Sequence, residues 1–303
     1  MKSEEAIRVA AEIRRMGPVF NEEVLRATYA LYVPLHQRVP KDGVRVERDV
    51  AYGDDARHRL DVFAPEKGVS DAPVVAYFHG GGYVAGERSP VPDLIYDNVP
   101  RFFARHGMVG VNATYRLAPA HKWPSGGEDV GRVARWLREN AARYGGDPRK
   151  IFLLGQSAGA THVATWAFME RVHGAAGPLA AGVMLLSGVY AAQHPDYGME
   201  TPRPNQLAYY GDDLSKWPAM APFDHVKPGH PRALITTSEY EPYYYQWPSF
   251  ALAAAILRRT RRLPRFLTLP GHNHVSPALQ IGCEIDTLGR ELLQFISCAD
   301  AKA

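Results

Sequence analysis

Among the residues able to do chemistry in this chain, Ser157 stands out, set in the run Gly155-Gln156-Ser157-Ala158-Gly159. The apolar stretch 151–154 precedes it and a helical pattern follows. Strand, Gly-x-Ser-x-Gly, helix is the context of a nucleophile elbow, a turn so tight that side chains two positions either side of the serine would clash. Such a turn lifts a hydroxyl clear of a sheet and onto a helix N-terminus, where developing negative charge is favoured. The chemistry it would serve is nucleophilic attack on an acyl carbon.

A second run, His79-Gly80-Gly81-Gly82-Tyr83, follows the apolar stretch 74–78. Consecutive glycines at a strand end cost chain entropy and need a reason. Backbone N–H groups aimed at an oxyanion supply one, because a loop without side chains can approach a substrate carbonyl closely. A phosphate-binding loop would need Gly-x-x-x-x-Gly-Lys-Ser/Thr, or Gly-x-Gly-x-x-Gly with an acidic residue about 20 positions on. Neither is present.

A serine nucleophile of this kind needs a histidine base and an orienting acid, which follow it in the order Ser, acid, His. The acid belongs just past a late strand. The stretch 233–236 reads as that strand, and Ser238-Glu239-Tyr240-Glu241-Pro242 comes next, offering Glu239 and Glu241. The base belongs after the last strand, 266–269, where Pro270-Gly271-His272-Asn273-His274 offers His272 and His274.

The elements that must bring these loops together can be read from periodicity. Ser3 is placed to cap a first helix with Ile7, Ala10, Ala11 and Ile13 on its apolar side, ending at Gly17-Pro18. A second runs from Asn21 with Val24, Leu25, Thr28, Leu31 and Tyr32 on one face, until Pro34 ends or bends it. Alternation over 44–52 and 59–63, joined by Gly53-Asp54-Asp55, predicts an antiparallel hairpin at a sheet edge. From Pro73 the strands become short, apolar and uninterrupted: 74–78, 108–113, 151–154, 183–186, 233–236 and 266–269. Such strands suit a parallel sheet covered on both faces. Helical patterns over 92–105, 126–143, 158–172, 248–259 and 284–296 separate or close them, which predicts an α/β fold. The segment 190–231, rich in proline and aromatics, breaks this rhythm and is expected to pack over a sheet edge with the N-terminal helices as a cap. The division expected is a helical cap segment, 1–40, and a catalytic domain, 41–303, carrying that insertion.

Taken together, His79-Gly80-Gly81-Gly82-Tyr83, Tyr115-Arg116-Leu117-Ala118-Pro119, the segment from Trp123-Pro124 to Glu128-Asp129, and Gly155-Gln156-Ser157-Ala158-Gly159 resemble the hormone-sensitive-lipase-like esterases, a branch of the α/β hydrolases. The resemblance spans roughly residues 70–298 and extends to small esterases and arylformamidases that share the glycine loop. It implies an eight-stranded, mostly parallel sheet, Ser157 as nucleophile, the amides of Gly81, Gly82 and Ala158 as oxyanion donors, Glu241 as acid through its Glu-Pro step, and His274 as base. It implies a carboxylic ester hydrolase for small short-acyl or aromatic esters, working through an acyl-enzyme without cofactor, with a homodimer compatible with the family. Three departures keep alternatives open. The acid is usually aspartate, so Glu239 stays beside Glu241. The base sits in His-Asn-His rather than His-Gly-aromatic, so His272 stays beside His274. The residue before the nucleophile is more often acidic, and here it is Gln156, whose side chain has no part in the chemistry. An arylformamidase or amidase would use the same triad, and a non-catalytic receptor on this fold would tend to lose one of its members.

Composition agrees with a folded enzyme. The chain has 303 residues, 46% hydrophobic and 22% charged, with 35 basic against 32 acidic side chains. Its densest basic stretch, Arg258, Arg259, Arg261, Arg262 and Arg265, reads as a solvated helix end rather than a nucleic-acid surface. Cys283 and Cys298 are too few for a disulfide framework and read as free thiols, with a single bridge as the alternative. No secretory leader or membrane span is evident, so the expectation is a cytoplasmic protein, as a chain with its leader removed would also read. No Cys/His or carboxylate cluster has metal-ligand spacing. His79 reads as a neutral residue fixing the glycine loop, Arg116 with Asp129 as a structural pair, and Tyr243-Tyr244-Tyr245 with Trp247 as either pocket wall or packing.

Overall fold

The computed structural model describes residues 2–175, 177–190 and 202–298. Strands β1 (Val44–Ala51), β2 (Arg59–Pro65), β3 (Ala72–Phe78), β4 (Val109–Ala113), β5 (Gly146–Gln156), β6 (Gly182–Leu186), β7 (Arg232–Tyr240) and β8 (Arg265–Asn273) form one eight-stranded sheet in the order β1-β2-β4-β3-β5-β6-β7-β8. β2 runs antiparallel to both β1 and β4, and the remaining pairings are parallel. The inversion of β3 and β4 seats β3 beside β5, with Phe78 opposite Gly155. The glycine loop leaving β3 and the serine turn leaving β5 therefore emerge side by side.

The central strands are apolar on both sides because both faces are covered. Val74, Ala76, Phe78, Ile151, Leu153, Val183 and Leu185 point into one core; Val75, Tyr77, Phe152, Leu154, Met184 and Leu186 point into the other. Helices α4 (Ser125–Asn140), α5 (Ala158–Phe168) and α8 (Tyr243–Thr260) contribute to the first. Helices α1 (Lys2–Met16), α2 (Glu22–Gln37), α3 (Asn98–Arg105), α9 (Ser276–Gln280) and α10 (Gly289–Ser297) contribute to the second. The short helices α6 (Glu170–His173) and α7 (Pro204–Tyr210) complete the α-helices among the described residues.

Several boundaries differ from expectation, each for a local reason. α1 begins at Lys2, so Ser3 lies within its first turn rather than before it. α2 passes through Pro34 to Gln37, because its buried side continues through Leu35 to His36, whose Nε2 hydrogen-bonds the Leu279 carbonyl at 2.6 Å. Residues 92–97 are not helical: the Asp97 carboxylate accepts from the Asp93 amide, Ser89 and Arg48, with Asp93 and Tyr96 at positive φ. These polar anchors override helix periodicity, and α3 starts only at Asn98. The helix after Ser157 breaks at Met169, which is extended, giving α5 and α6. α8 begins at Tyr243, ahead of its expected start, and contains Pro248. In the expected closing helix, Asp286 caps instead, its Oδ1 accepting from the Leu288 and Gly289 amides at 2.9 and 2.7 Å, so α10 begins at Gly289.

Part of the proline-rich insertion, 191–201, lies outside the described residues. From 202 it forms α7 and three short 3-10 turns. It covers the strand-end loops rather than a sheet edge: Tyr209, Tyr210 and Trp217 pack against Tyr83, Ala158 and Tyr245. Arg259 is not simply solvated either, since its Nη1 donates to the Phe223 and Val226 carbonyls and so ties the end of α8 to this cover. Cys283 and Cys298 are both free thiols. No helix among the described residues is long and apolar enough to cross a membrane.

Candidate active site

Ser157 sits between β5 and α5 at φ 54°, ψ −119°, a conformation that L-residues avoid and that only a tight surrounding holds. The flanking glycines are required by close approach. A Cβ on Gly159 would lie 2.1 Å from the Phe78 carbonyl oxygen, and one on Gly155 would lie 2.5 Å from the Ala160 nitrogen. The Ser157 amide donates to the Leu186 carbonyl at 2.8 Å, which fixes the turn to β6.

His274 follows β8 and reaches Ser157: its Nε2 lies 2.9 Å from the serine Oγ. Its Nδ1 lies 3.0 Å from Glu241 Oε2. The arrangement dictates the tautomer, with Nδ1–H donating to the carboxylate and Nε2 accepting from the hydroxyl. The second Glu241 oxygen accepts from Thr237 Oγ1 at 2.6 Å and from the Ser238 amide at 2.8 Å. All three residues are buried, His274 and Glu241 at 1% exposure each, so this is a desolvated hydrogen-bonded chain. Burial lowers the His274 pKa from the usual 6.5, while Glu241 acts to raise it. The ring is therefore neutral at pH 7 and able to accept a proton.

The alternatives are placed elsewhere. Glu239 is exposed, and its Oε2 accepts from the Gly271 amide at 2.8 Å, bracing the histidine loop from outside. His272 Nδ1 pairs with Ser276 Oγ at 2.9 Å, and burial pushes its pKa down to about 4.

The glycine loop lies against this chain. Gly81 has φ +140°, and a Cβ there would collide with the Ala85 carbonyl oxygen at 1.9 Å. Gly82 lies with Ala158 and Ser157 in the wall of one narrow cleft, and Gly80 and Gly81 lie with Ser157 and His274 in a second. His79 is fully buried, with Nδ1 bonded to the Gly80 carbonyl at 2.6 Å and its ring stacked on Tyr115. Burial lowers its pKa to about 4, which keeps it neutral. Asp129 is completely buried and accepts from the Arg116 amide and guanidinium and from His58, tying the Tyr115-Arg116 turn to α4.

Four contacts escaped the sequence. Gln156 Nε2 donates to the His274 carbonyl at 2.9 Å, joining the nucleophile turn to the base loop. Asn205 Nδ2 donates to the Gly82 carbonyl at 3.0 Å, joining the insertion to the glycine loop. Tyr245 stacks on the His274 ring, centroids 3.6 Å apart and planes 18° apart. Phe20, between α1 and α2, meets the same ring edge-on at 4.7 Å. Of the four residues, Gln156 was visible as the neighbour of the serine and Tyr245 in the aromatic run 243–245, but the contacts themselves carried no local signal. Tyr245 serves as both packing and pocket wall, whereas Tyr243 is exposed.

Two cavities open at Ser157. One of about 10 Å³ is walled by Tyr83, Val189, Asn205 and Tyr245; the other, about 160 Å³, is walled by Phe20, Leu25, Tyr29 and Val275. No group of three or more His, Cys, Asp or Glu side chains among the described residues is arranged to hold a metal ion.

Residues 75–275 match the protein family described as alpha/beta hydrolase fold. The chain is 30% identical over 269 residues to carboxylesterase NlhH of Mycobacterium tuberculosis, covering 81% of this chain and 80% of that protein. A shorter stretch of 115 residues, 36% of this chain and 22% of the other, is 35% identical to phenmedipham hydrolase of Pseudarthrobacter oxydans. Among solved structures, a bacterial heroin esterase superposes with a TM-score of 0.71 at 23% identity, covering 96% of this chain and 97% of that one. An esterase of Pyrobaculum calidifontis does so with a TM-score of 0.69 at 24% identity and 94% coverage of each chain. Fold and relatives together define a hydrolase of the carboxylesterase type. The chain belongs to the α/β hydrolase fold family.

Proposed function

We propose that this enzyme cleaves small carboxylic esters, with short-acyl or aromatic parts, through an acyl-enzyme on Ser157. The observation that carries the reading is the hydrogen-bonded chain from Ser157 Oγ through both nitrogens of His274 to Glu241. As the hydroxyl attacks the ester carbonyl, His274 Nε2 takes its proton. Glu241 holds the ring in that tautomer and stabilises its cation without itself becoming protonated. The amides of Gly81, Gly82 and Ala158 receive the oxyanion, each such donor contributing roughly 2.7–4 kcal/mol. The imidazolium then protonates the leaving alcohol, and a water activated by the same nitrogen releases the acid.

The substrate size rests on the two unequal cavities. The narrow one has about the room of a single water, which argues against a long acyl chain on that side, and the larger, lined by Phe20, Leu25 and Tyr29, supports a small apolar or aromatic group. The same reading places the enzyme in the cytoplasm, where Cys283 and Cys298 stay reduced. An acyl-length series of p-nitrophenyl esters tests it, with N-formyl aromatic amines measured alongside. Highest kcat/KM on acetate or propionate is expected. A maximum on long acyl chains overturns the size assignment, and faster turnover of the formyl amides overturns the ester assignment.

A further inference from the structure

A third cavity, about 520 Å³, is larger than either cleft at Ser157 and shares no lining residue with them. It lies between α3 and the turn joining α9 to α10. Its volume falls within the usual range for small-molecule sites, roughly 300–1,000 Å³. The Ser157 chemistry has no use for it.

Its charges are unbalanced. Lys41, Arg101, Arg105 and Arg290 line it against only Asp93 and Asp286. Both carboxylates are already engaged. Asp286 accepts from the amides of Gly282, Leu288 and Gly289, at 2.7, 2.9 and 2.7 Å. Asp93 is shared between Arg48 at 2.9 Å and Arg101 at 3.2 Å. Lys41 and Arg290, both exposed at the rim, make no salt bridge among the described residues.

Arg101 sharpens the case. Its side chain is 7% exposed and its Nη1 donates to the Lys41 carbonyl at 3.3 Å, yet the shared Asp93 contact is its one ion pair among the described residues, and its buried Nε has no hydrogen-bond partner among them. A buried donor left unmet is costly, and a guanidinium fork matches an oxyanion. Burial lowers its pKa from the usual arginine value, with Arg48 and Arg105 acting the same way and Asp93 and Asp97 acting against them. The wall also carries the apolar Phe102, Ile281 and Leu293, beside the polar His36, Asn98 and His106.

We propose that this cavity binds a small organic oxyanion, a carboxylate or a phosphate monoester, whose apolar body rests on Phe102 and Ile281 while its charge meets Arg101 and the rim cations. Phosphate esters and carboxylates share the recognising chemistry, so the test uses one of each. Benzoate and phenyl phosphate are titrated calorimetrically into the intact enzyme and into a Lys41→Glu/Arg290→Glu variant, whose exposed sites leave the fold and ester turnover unchanged. One saturable site is expected for at least one ligand, weakened about tenfold or more in the variant by reversal of two charges. Arg101→Met, checked for an unchanged melting temperature, is expected to abolish that binding. Whichever ligand binds more tightly names the oxyanion. Absence of saturable binding by both ligands, or equal affinity in enzyme and rim variant, overturns the proposal.

Discussion

Around Ser157 the loops after β3, β5, β7 and β8 hold their side chains by short hydrogen bonds and forced backbone angles, as at Gly81 and Ser157 itself. The layer covering them, from Phe20 through Tyr209, Tyr210 and Trp217 to Tyr245, packs ring against ring, with Tyr83 stacked on Tyr209 at 4.5 Å, and is pinned by a few hydrogen bonds such as Arg203 Nη1 to Tyr245 Oη and Trp217 Nε1 to the Gly211 carbonyl, both at 3.0 Å. The first region has one solution, because proton transfer tolerates little displacement. The second needs only volume and shape, and aromatic pairs are worth about 0.5–1.5 kcal/mol each beyond their burial. Substitutions in the loops should therefore abolish turnover at constant fold, and substitutions in the cover should redistribute it.

The contrast is broken or sharpened first at the nucleophile. Ser157→Ala is expected to lower kcat by about 10⁶-fold, the loss known for a subtilisin serine, with an unchanged melting temperature. Near-normal turnover of p-nitrophenyl acetate would remove Ser157 from the chemistry. Next comes the acid. Glu241→Gln should cost about 10⁴-fold in kcat by loss of the required tautomer, while Glu239→Gln costs less than about tenfold, since Glu239 only braces the Gly271 amide. Inverse losses would transfer the role. In the cover, Tyr245→Leu should cost roughly tenfold in kcat/KM, the scale of one aromatic stacking contact. Phe20→Ala should change kcat for acetate only a few-fold and move the alcohol-group preference toward bulkier esters, by enlarging the 160 Å³ cleft. A loss at Phe20 as deep as at Ser157 would erase the distinction between the two regions.

The smallest effect expected is on pH. The proposed mechanism needs neutral His274, whose pKa burial holds below 6.5, so the acid limb of kcat/KM should have its midpoint below that value. Activity then falls about tenfold per pH unit on the acidic side. Removing the Glu241 charge takes away what favours the imidazolium, so Glu241→Gln should move the midpoint still lower. An upward move would mean that the carboxylate is not the ring's dominant partner.

Legibility follows the same division. The Gly-x-Ser-x-Gly turn, the glycine loop and the loops after β7 and β8 that carry Glu241 and His274 were readable because backbone geometry demands those residue types at those spacings. The apolar strands were readable because burial on two faces leaves an uninterrupted run. What could not be read was set by contacts between distant segments. Phe20 lies far along the chain from His274, and nothing in its neighbours marks it for that ring. Helix starts failed where side chains outside the pattern intervened, as Asp97 does for 92–97 and Asp286 for α10. Choosing between His272 and His274, two positions apart, needed the identity of the partner each meets, Ser276 or Ser157.

Gln156 leaves the enzyme with a seam that acidity does not touch. Its amide carries hydrogens at every pH, so the link to the His274 carbonyl persists whatever the medium does. An ionised carboxylic side chain at that position has only acceptors, and would face the same carbonyl oxygen as a repelling neighbour. Acid inactivation of this enzyme should accordingly begin as reversible titration of the His274 ring, ahead of the buried His79 and His272, which charge only near pH 4.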